Sequence, residues 1–142
     1  MILGKIKKVH FIGIGGIGMS GISELLLNLG FKVSGSDTKM TSITSQLSGK
    51  GAKIYKGHDK KNVMDSDLVV YSSAINNENV ELAEARKIQL PIVRRAEMLG
   101  ELLKLKNTSI AVSGTHGKTS TTSMMGSILT EALFYPTLVV GG

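Results

Sequence analysis

The sequence contains no cysteine and no tryptophan, and only two of its 142 residues are proline. Without cysteine, neither a disulfide nor a thiolate metal site can form. Aromatic residues make up 4% of the chain, which argues against a platform of stacked rings for single-stranded nucleic acid. The formal charge of +6 is therefore interpreted as a solvated basic surface that can also attract small anions such as nucleotides.

Long apolar runs are also missing. The most apolar stretch, from Ile17 to Leu29, is too short to span a bilayer and contains Glu24. The first residues do not resemble a signal peptide, because lysines follow almost at once, at Lys5, Lys7 and Lys8. We expect a cytoplasmic protein that acts on neither membranes nor nucleic acid.

A glycine cluster follows the first predicted strand, Val9 to Ile12, and opens a predicted helix that ends at Gly30. This order of strand, glycines and helix presents backbone N–H groups to an anion, and glycines let a phosphate approach the main chain. The G-x-G-x-x-G pattern fits Gly13, Gly15 and Gly18. It also fits a register that starts three residues later, at Gly16, and we prefer the first because Gly13 directly follows the strand.

An acidic residue, Asp37, ends the second predicted strand, 19 positions after Gly18. In nucleotide-binding βαβ units a carboxylate at about this spacing reaches the ribose hydroxyls. The alternative is an aspartate that only forms a turn or caps the next helix. We expect His58, in the loop after the third predicted strand, to be solvated rather than functional.

The first 106 residues alternate predicted strands and helices about four times. The later strands are Leu68 to Tyr71, which ends at Ser72-Ser73-Ala74-Ile75, and Pro91 to Val93, which ends at Arg94-Arg95. Hydroxyls just past the carboxyl end of a central strand lie where open α/β sheets bind ligands. The predicted fold is α/β: a Rossmann-like open parallel sheet with helices on both faces.

A second unit of strand, loop and helix is predicted after residue 107: residues 109–112 are predicted as an apolar strand, and Gly117-Lys118-Thr119 is predicted to open a helix. Backbone N–H groups of such a loop can surround a phosphate, Lys118 can neutralise the β- and γ-phosphates, and Thr119 can bind Mg²⁺. The usual phosphate loop has glycine where this chain has Val112. We predict ATP binding, by Gly114, Thr115, His116, Gly117, Lys118, Thr119 and Ser120.

These motifs together resemble the Mur ligase family, and most of all its alanine-adding members. The resemblance covers essentially the whole chain, and five stretches carry it. They are His10–Gly21, Ser34–Asp37, Ser72–Ile75, Arg94–Leu99 and Gly114–Thr119.

The resemblance implies a UDP-sugar-binding domain at residues 1–106 and the start of a central ATPase domain, its first βαβ unit, at residues 107–142. It also implies a UDP-substrate site, in which Gly15, Gly16, Ile17 and Gly18 surround the diphosphate, next to Gly13. Asp37, Ser72, Ser73 and Ile75 would lie along the uridine and sugar.

The implied reaction is ATP-dependent ligation of L-alanine to the carboxylate of UDP-N-acetylmuramate through an acyl phosphate, with Lys118 and Mg²⁺ screening the anionic oxygens. Because the sequence covers only part of such an enzyme, we expect this chain to bind the UDP-substrate weakly or not at all, and not to ligate. We also expect the residues after 107 to pack on the first domain or on another copy of the chain, which could produce a homo-oligomer.

Two other functions remain open from the residues alone. The first glycine loop and Asp37 would also suit a nicotinamide-dinucleotide-binding Rossmann module, although such a domain has no use for Gly117-Lys118-Thr119. A non-catalytic, oligomeric binding domain is the other alternative.

Overall fold

The structure, a computed structural model, describes residues 2–104. Five strands and four α-helices alternate along this part of the chain, with short 3-10 helices at Ile2–Lys5 and Lys60–Val63. The strands are β1 (Lys8–Ile12), β2 (Lys32–Asp37), β3 (Lys53–Lys56), β4 (Leu68–Tyr71) and β5 (Ile92–Arg94). The helices are α1 (Met19–Asn28), α2 (Ser42–Gly49), α3 (Val80–Lys87) and α4 (Arg95–Leu103).

All five strands are parallel and lie in the order β3-β2-β1-β4-β5. Strand β1 is central: Phe11 is opposite Gly35 of β2 on one side and Val70 of β4 on the other. The chain therefore runs outward from β1 in one direction and then returns to continue in the other. The loops after β1 and β4 diverge at this point, which is where open α/β sheets bind ligands.

Successive side chains of each strand point to opposite faces of the sheet, so the sheet separates two hydrophobic cores. On one face Val9 and Phe11 of β1 pack with Ile22 and Leu26 of α1, and α2 and α4 contribute to the same core. On the other face Ile12 packs with residues of α3 and of the second 3-10 helix, namely Val63, Leu82 and Ala85. The predicted α/β fold, with a parallel sheet covered on both faces, is confirmed within the described residues.

The predicted elements agree with the observed ones to within a few residues, but two apolar stripes are narrower than the sequence predicts. The residue spacing predicts one stripe in α1, of Ile22, Leu25, Leu26 and Leu29, and one in α2, of Ile43 and Leu47. Ile22 and Leu26 of α1 are fully buried, whereas Leu29, at the end of the helix, is 41% exposed. In α2, Leu47 is buried and Ile43 is 42% exposed. The predicted helix and strand after residue 107 lie outside the described residues. No helix in the described part of the chain is long and apolar enough to cross a membrane.

Candidate functional site

The glycine loop connects the central strand β1 to helix α1. Gly13 and Gly18 adopt left-handed conformations, with φ of 81° and 80°. Side chains rarely tolerate this conformation, so glycine is required at both positions. Because Gly13 and Gly18 are the outer glycines of the pattern Gly13, Gly15 and Gly18, the geometry favours that register.

The neighbouring strand β2 holds the first half of this loop against the sheet. The N–H groups of Gly13 and Ile14 both donate to the carbonyl oxygen of Ser36 in β2, at 2.8 and 3.0 Å. The side chain of Ile14 is fully buried directly over Gly35, where a Cβ would lie 2.4 Å from Ile14 Cδ1. Gly35 thus allows the loop to pack on β2 at a distance that no other residue permits.

The second half of the loop carries unpaired donors. Gly18 is the N-cap of α1 and supplies no side-chain cap, and the first turn of α1 contains no acidic residue. Within residues 2–104, the N–H groups of Ile17 and Gly18 have no hydrogen-bond acceptor. Unpaired N–H groups at the positive end of a helix dipole form an arrangement that binds anions such as phosphate.

Asp37 supports the glycine loop directly. Its Oδ2 accepts a hydrogen bond from the N–H of Gly15 at 2.9 Å, and Oδ1 accepts one from the N–H of Lys39 at 3.2 Å. The N-cap of α2 is Thr41, so Asp37 does not cap that helix. A Cβ on Gly15 would lie 3.0 Å from Asp37 Oδ2, which explains glycine at this position. The carboxylate therefore orders the loop, and its contact with a ribose stays a prediction.

The loop after β4 meets the glycine loop at the same edge of the sheet. The N–H of Ile75 donates to the carbonyl oxygen of Ser72 at 3.1 Å, which closes a turn. Ile75 then contacts Gly13, where a Cβ would lie 3.2 Å from Ile75 Cδ1. Ser72 is half-buried and Ser73 exposed. The structure thus brings Ile75 to the glycine loop, with Ser72 and Ser73 in the same turn as Ile75.

Arg95, at the start of α4, also lies at this edge of the sheet, and no binding role is predicted for it from the sequence. Its side chain crosses Gly18, where a Cβ would lie 2.5 Å from the guanidinium Nη1 and 3.3 Å from Cδ. The sequence places Arg94 and Arg95 at the end of β5, but only the strand order shows that the second arginine reaches helix α1.

A buried polar network on the α3 face was also missed. Glu81, at the start of α3, is fully buried and accepts hydrogen bonds from His10 Nε2 and from His58 Nδ1, the latter at 2.6 Å. Ser34 Oγ lies 2.8 Å from His10 Nδ1, and Ser36 Oγ lies 3.0 Å from His58 Nδ1. The expectation that His58 is solvated is wrong, because its side chain is 20% exposed and pairs with Glu81.

Electrostatics in this network favour the carboxylate form of Glu81. Burial by itself raises the pKa of Glu81, but hydrogen bonds from His10, Ser36 and His58 outweigh burial and hold the pKa below its ordinary value of 4.5. The network joins β1, β2, the loop after β3 and α3. It therefore fixes the loop of His58 beside the carboxyl ends of β2 and β3.

The predicted ATP site, Gly114 to Ser120 with Lys118 and Thr119, lies outside the described residues. No cluster of three or more histidine, cysteine, aspartate or glutamate side chains that could hold a metal ion occurs within residues 2–104. The described part of the candidate site is thus a main-chain loop with two unpaired N–H groups, with one carboxylate and one guanidinium beside it.

Comparison with known proteins identifies close relatives. Residues 8–107 match the Mur ligase family, catalytic domain. The chain is 55% identical over 138 residues to a UDP-N-acetylmuramate–L-alanine ligase of Acetivibrio thermocellus, covering 97% of this chain and 29% of that protein. It is also 55% identical over 142 residues to the protein of that name from Aquifex aeolicus, covering 100% and 31%.

Solved structures similar to this chain also include ligases. The crystal structure of UDP-N-acetylmuramate-alanine ligase from Thermotoga maritima superposes with a TM-score of 0.84 at 37% identity, covering 89% of this chain and 30% of that one. A murein peptide ligase from Psychrobacter arcticus superposes with a TM-score of 0.82 at 31% identity, covering 89% and 27%. The chain spans about 30% of the length of the curated relatives that it matches.

Proposed function

The chain belongs to the Mur ligase family, and on that basis we propose that its glycine loop binds the diphosphate of UDP-N-acetylmuramate. The observation that carries this proposal is the pair of unpaired N–H groups, of Ile17 and Gly18, at the N-terminus of α1. They lie where the strand order reverses, the usual ligand crevice of an open α/β sheet.

The positions of the other substrate groups can be proposed from the residues at the same edge of the sheet. A diphosphate on the loop would place a uridine toward one side of the crevice and an amino sugar toward the other. Asp37 borders the crevice on the β2 side, and Ser72, Ser73 and Ile75 border it on the β4 side. We propose these four residues as the contacts of the uridine and the sugar.

The parent activity in this proposal is ATP-dependent ligation of L-alanine to UDP-N-acetylmuramate in peptidoglycan synthesis, in the cytoplasm. A substrate carboxylate oxygen would attack the γ-phosphorus of ATP and ADP would leave. The alanine amine would then attack the acyl phosphate and release phosphate. Support comes from relatives that carry the ligase name and from the sequence Gly117-Lys118-Thr119. Lys118 and Thr119, with Mg²⁺, would screen the phosphates.

Within this proposal residues 1–106 form the UDP-sugar domain and residues 107–142 begin the ATP-binding domain. We expect the 142-residue chain to bind UDP-N-acetylmuramate weakly and to be inactive as a ligase by itself. Phosphate release from the purified chain that depends on both ATP and L-alanine would contradict this inactivity.

A titration followed by ¹⁵N-resolved NMR tests the binding proposal. UDP-N-acetylmuramate should shift the amide resonances of Ile17 and Gly18 first, and NAD at the same concentration should shift them much less. Gly18→Ala should abolish these shifts, because the added Cβ strains a left-handed backbone and narrows the loop.

Gly30→Ala is the matched control for that variant. Gly30 has φ of 93° and no atom within 4 Å of an added Cβ, so the substitution carries a similar backbone strain far from the site. The Gly30→Ala variant should lose about as much stability as Gly18→Ala. The ligand should shift the amide resonances of Gly30→Ala as it shifts those of the unmodified chain. Absence of shifts in the unmodified chain at ligand concentrations in the ~10 mM range, or equal shifts with NAD, would overturn the proposal.

A further inference from the structure

Arg95 lies across the N-terminus of α1 and not on the surface of its own helix. An ideal Cβ on Gly18 would lie 2.5, 3.2 and 3.3 Å from Nη1, Cζ and Cδ of Arg95. Helices α1 and α4 cover the same face of the sheet, so the first residue of α4 can reach the first turn of α1. Gly18, whose N–H is one of the two unpaired donors, is buried, and the guanidinium lies beside it.

This guanidinium has no acceptor among the residues that the structure describes. Its neighbour Arg94 donates to the hydroxyl of Tyr71 at 3.4 Å, and this contact raises the pKa of Arg94. The two acidic side chains near the edge are engaged elsewhere: Asp37 accepts from Gly15 and Lys39, and Glu97 accepts from the N–H of Arg94. Arg95 is thus a cation without a counter-ion in this part of the chain.

A cation at this position is unfavourable unless an anion joins it. The N-terminus of a helix carries a partial positive charge, and here two unpaired N–H groups add to it. An arginine placed on the same point repels that charge. One phosphate group would satisfy the N–H groups and the guanidinium together, because the planar guanidinium can donate two parallel hydrogen bonds to phosphate oxygens.

We propose that Arg95, which follows the edge strand β5 on the same face of the sheet as α1, is a binding residue for the diphosphate of the nucleotide substrate held by the glycine loop. The inference rests on the proposed function and adds to it the residue that neutralises the ligand's charge. Gly18, whose φ of 80° already favours glycine, leaves the space that the guanidinium occupies.

The test compares Arg95→Met with Arg94→Met in the 142-residue chain, using UDP, inorganic pyrophosphate and uridine as ligands in the same NMR titration. Methionine keeps the apolar stem over Gly18 and removes the charge. Arg95→Met should weaken UDP and pyrophosphate binding about tenfold, the usual loss for one charge-assisted hydrogen-bonded contact, and leave uridine binding unchanged. Arg94→Met should bind all three ligands as the unmodified chain does.

Arg95→Lys distinguishes the effect of the positive charge on UDP affinity from the effect of the paired guanidinium donors. Lysine keeps the charge but not the paired donors, so UDP affinity should fall between those of the unmodified chain and Arg95→Met. Equal losses of UDP and uridine binding in Arg95→Met would make Arg95 a structural residue and overturn the inference alone. If the unmodified chain binds neither UDP nor UDP-N-acetylmuramate, the proposed function fails, and this inference fails with it.

Discussion

Replacing Glu81 by glutamine tests whether the buried network holds the α3 face together. Glu81 is fully buried and accepts from His10 on one carboxylate oxygen and from His58 on the other. Glutamine keeps the shape and one acceptor oxygen but turns an NH₂ group toward the second histidine. One buried donor loses its acceptor, which costs about 1–3 kcal/mol, and the remaining hydrogen bond loses its charge assistance, about another 1 kcal/mol.

The expected loss is therefore about 2–4 kcal/mol in the free energy of unfolding. For a domain of this size that corresponds to a fall in Tm of at least about 8 °C. Urea denaturation and thermal melting followed by circular dichroism would measure both quantities. Glu24→Gln is the matched control, because Glu24 pairs with Lys50 on the surface with both side chains nearly half exposed, and such pairs contribute less than about 1 kcal/mol.

The same network predicts how stability depends on pH. Because the pKa of Glu81 is held below its ordinary value of 4.5, its contribution is fully present above that value and is lost as the pH falls below it. Glu81→Gln should therefore lose less stability than the unmodified chain between neutral pH and the acid side of 4.5. A Glu81→Gln variant as stable as Glu24→Gln, with an unchanged acid dependence, would refute this account of the network.

Two further predictions concern the contacts that hold the glycine loop. Gly35→Ala should destabilise the fold by about 1–3 kcal/mol, because its Cβ would overlap Ile14. The control Gly49→Ala should cause no such loss, because no atom lies within 4 Å of a Cβ at that position. Urea denaturation of both variants measures the difference. Asp37→Ala should speed hydrogen exchange at the Gly15 amide by about tenfold, the effect of losing one charge-assisted hydrogen bond. Asp59→Ala, which removes an equivalent acceptor from the Lys61 amide, should leave Gly15 exchange unchanged.

Local signals in the sequence predicted the fold well. Apolar runs such as Leu68 to Tyr71 and the glycines at helix boundaries are short-range features, and the sheet they predict is the one observed. Ile43 and Leu29 were placed in apolar stripes but are exposed, because each lies at the end of a helix where the stripe passes the edge of the core.

The polar contacts could not be predicted in the same way. Glu81 is 71 residues from His10 and 23 from His58, and nothing in the local pattern of any of the three indicates the others. His10 lies in an apolar strand and His58 in a polar loop, so each resembles an ordinary residue of its segment. The contact of Arg95 with Gly18 likewise depends on the order of β4 and β5 beside β1, which the sequence does not specify.

The contacts around the glycine loop also bear on which steps of the proposed reaction can be separated. Ser36, Asp37, Ile75 and Arg95 hold or touch the loop, and they come from the ends of β2, β4 and β5. All four of these residues lie within residues 2–104, the part of the chain that the structure describes. Between weak binding and no binding, this arrangement favours weak binding. Binding of the UDP-substrate and transfer of phosphate should then separate experimentally: substitutions at Lys118 should leave the UDP titration unchanged, whereas substitutions at Arg95 should alter it.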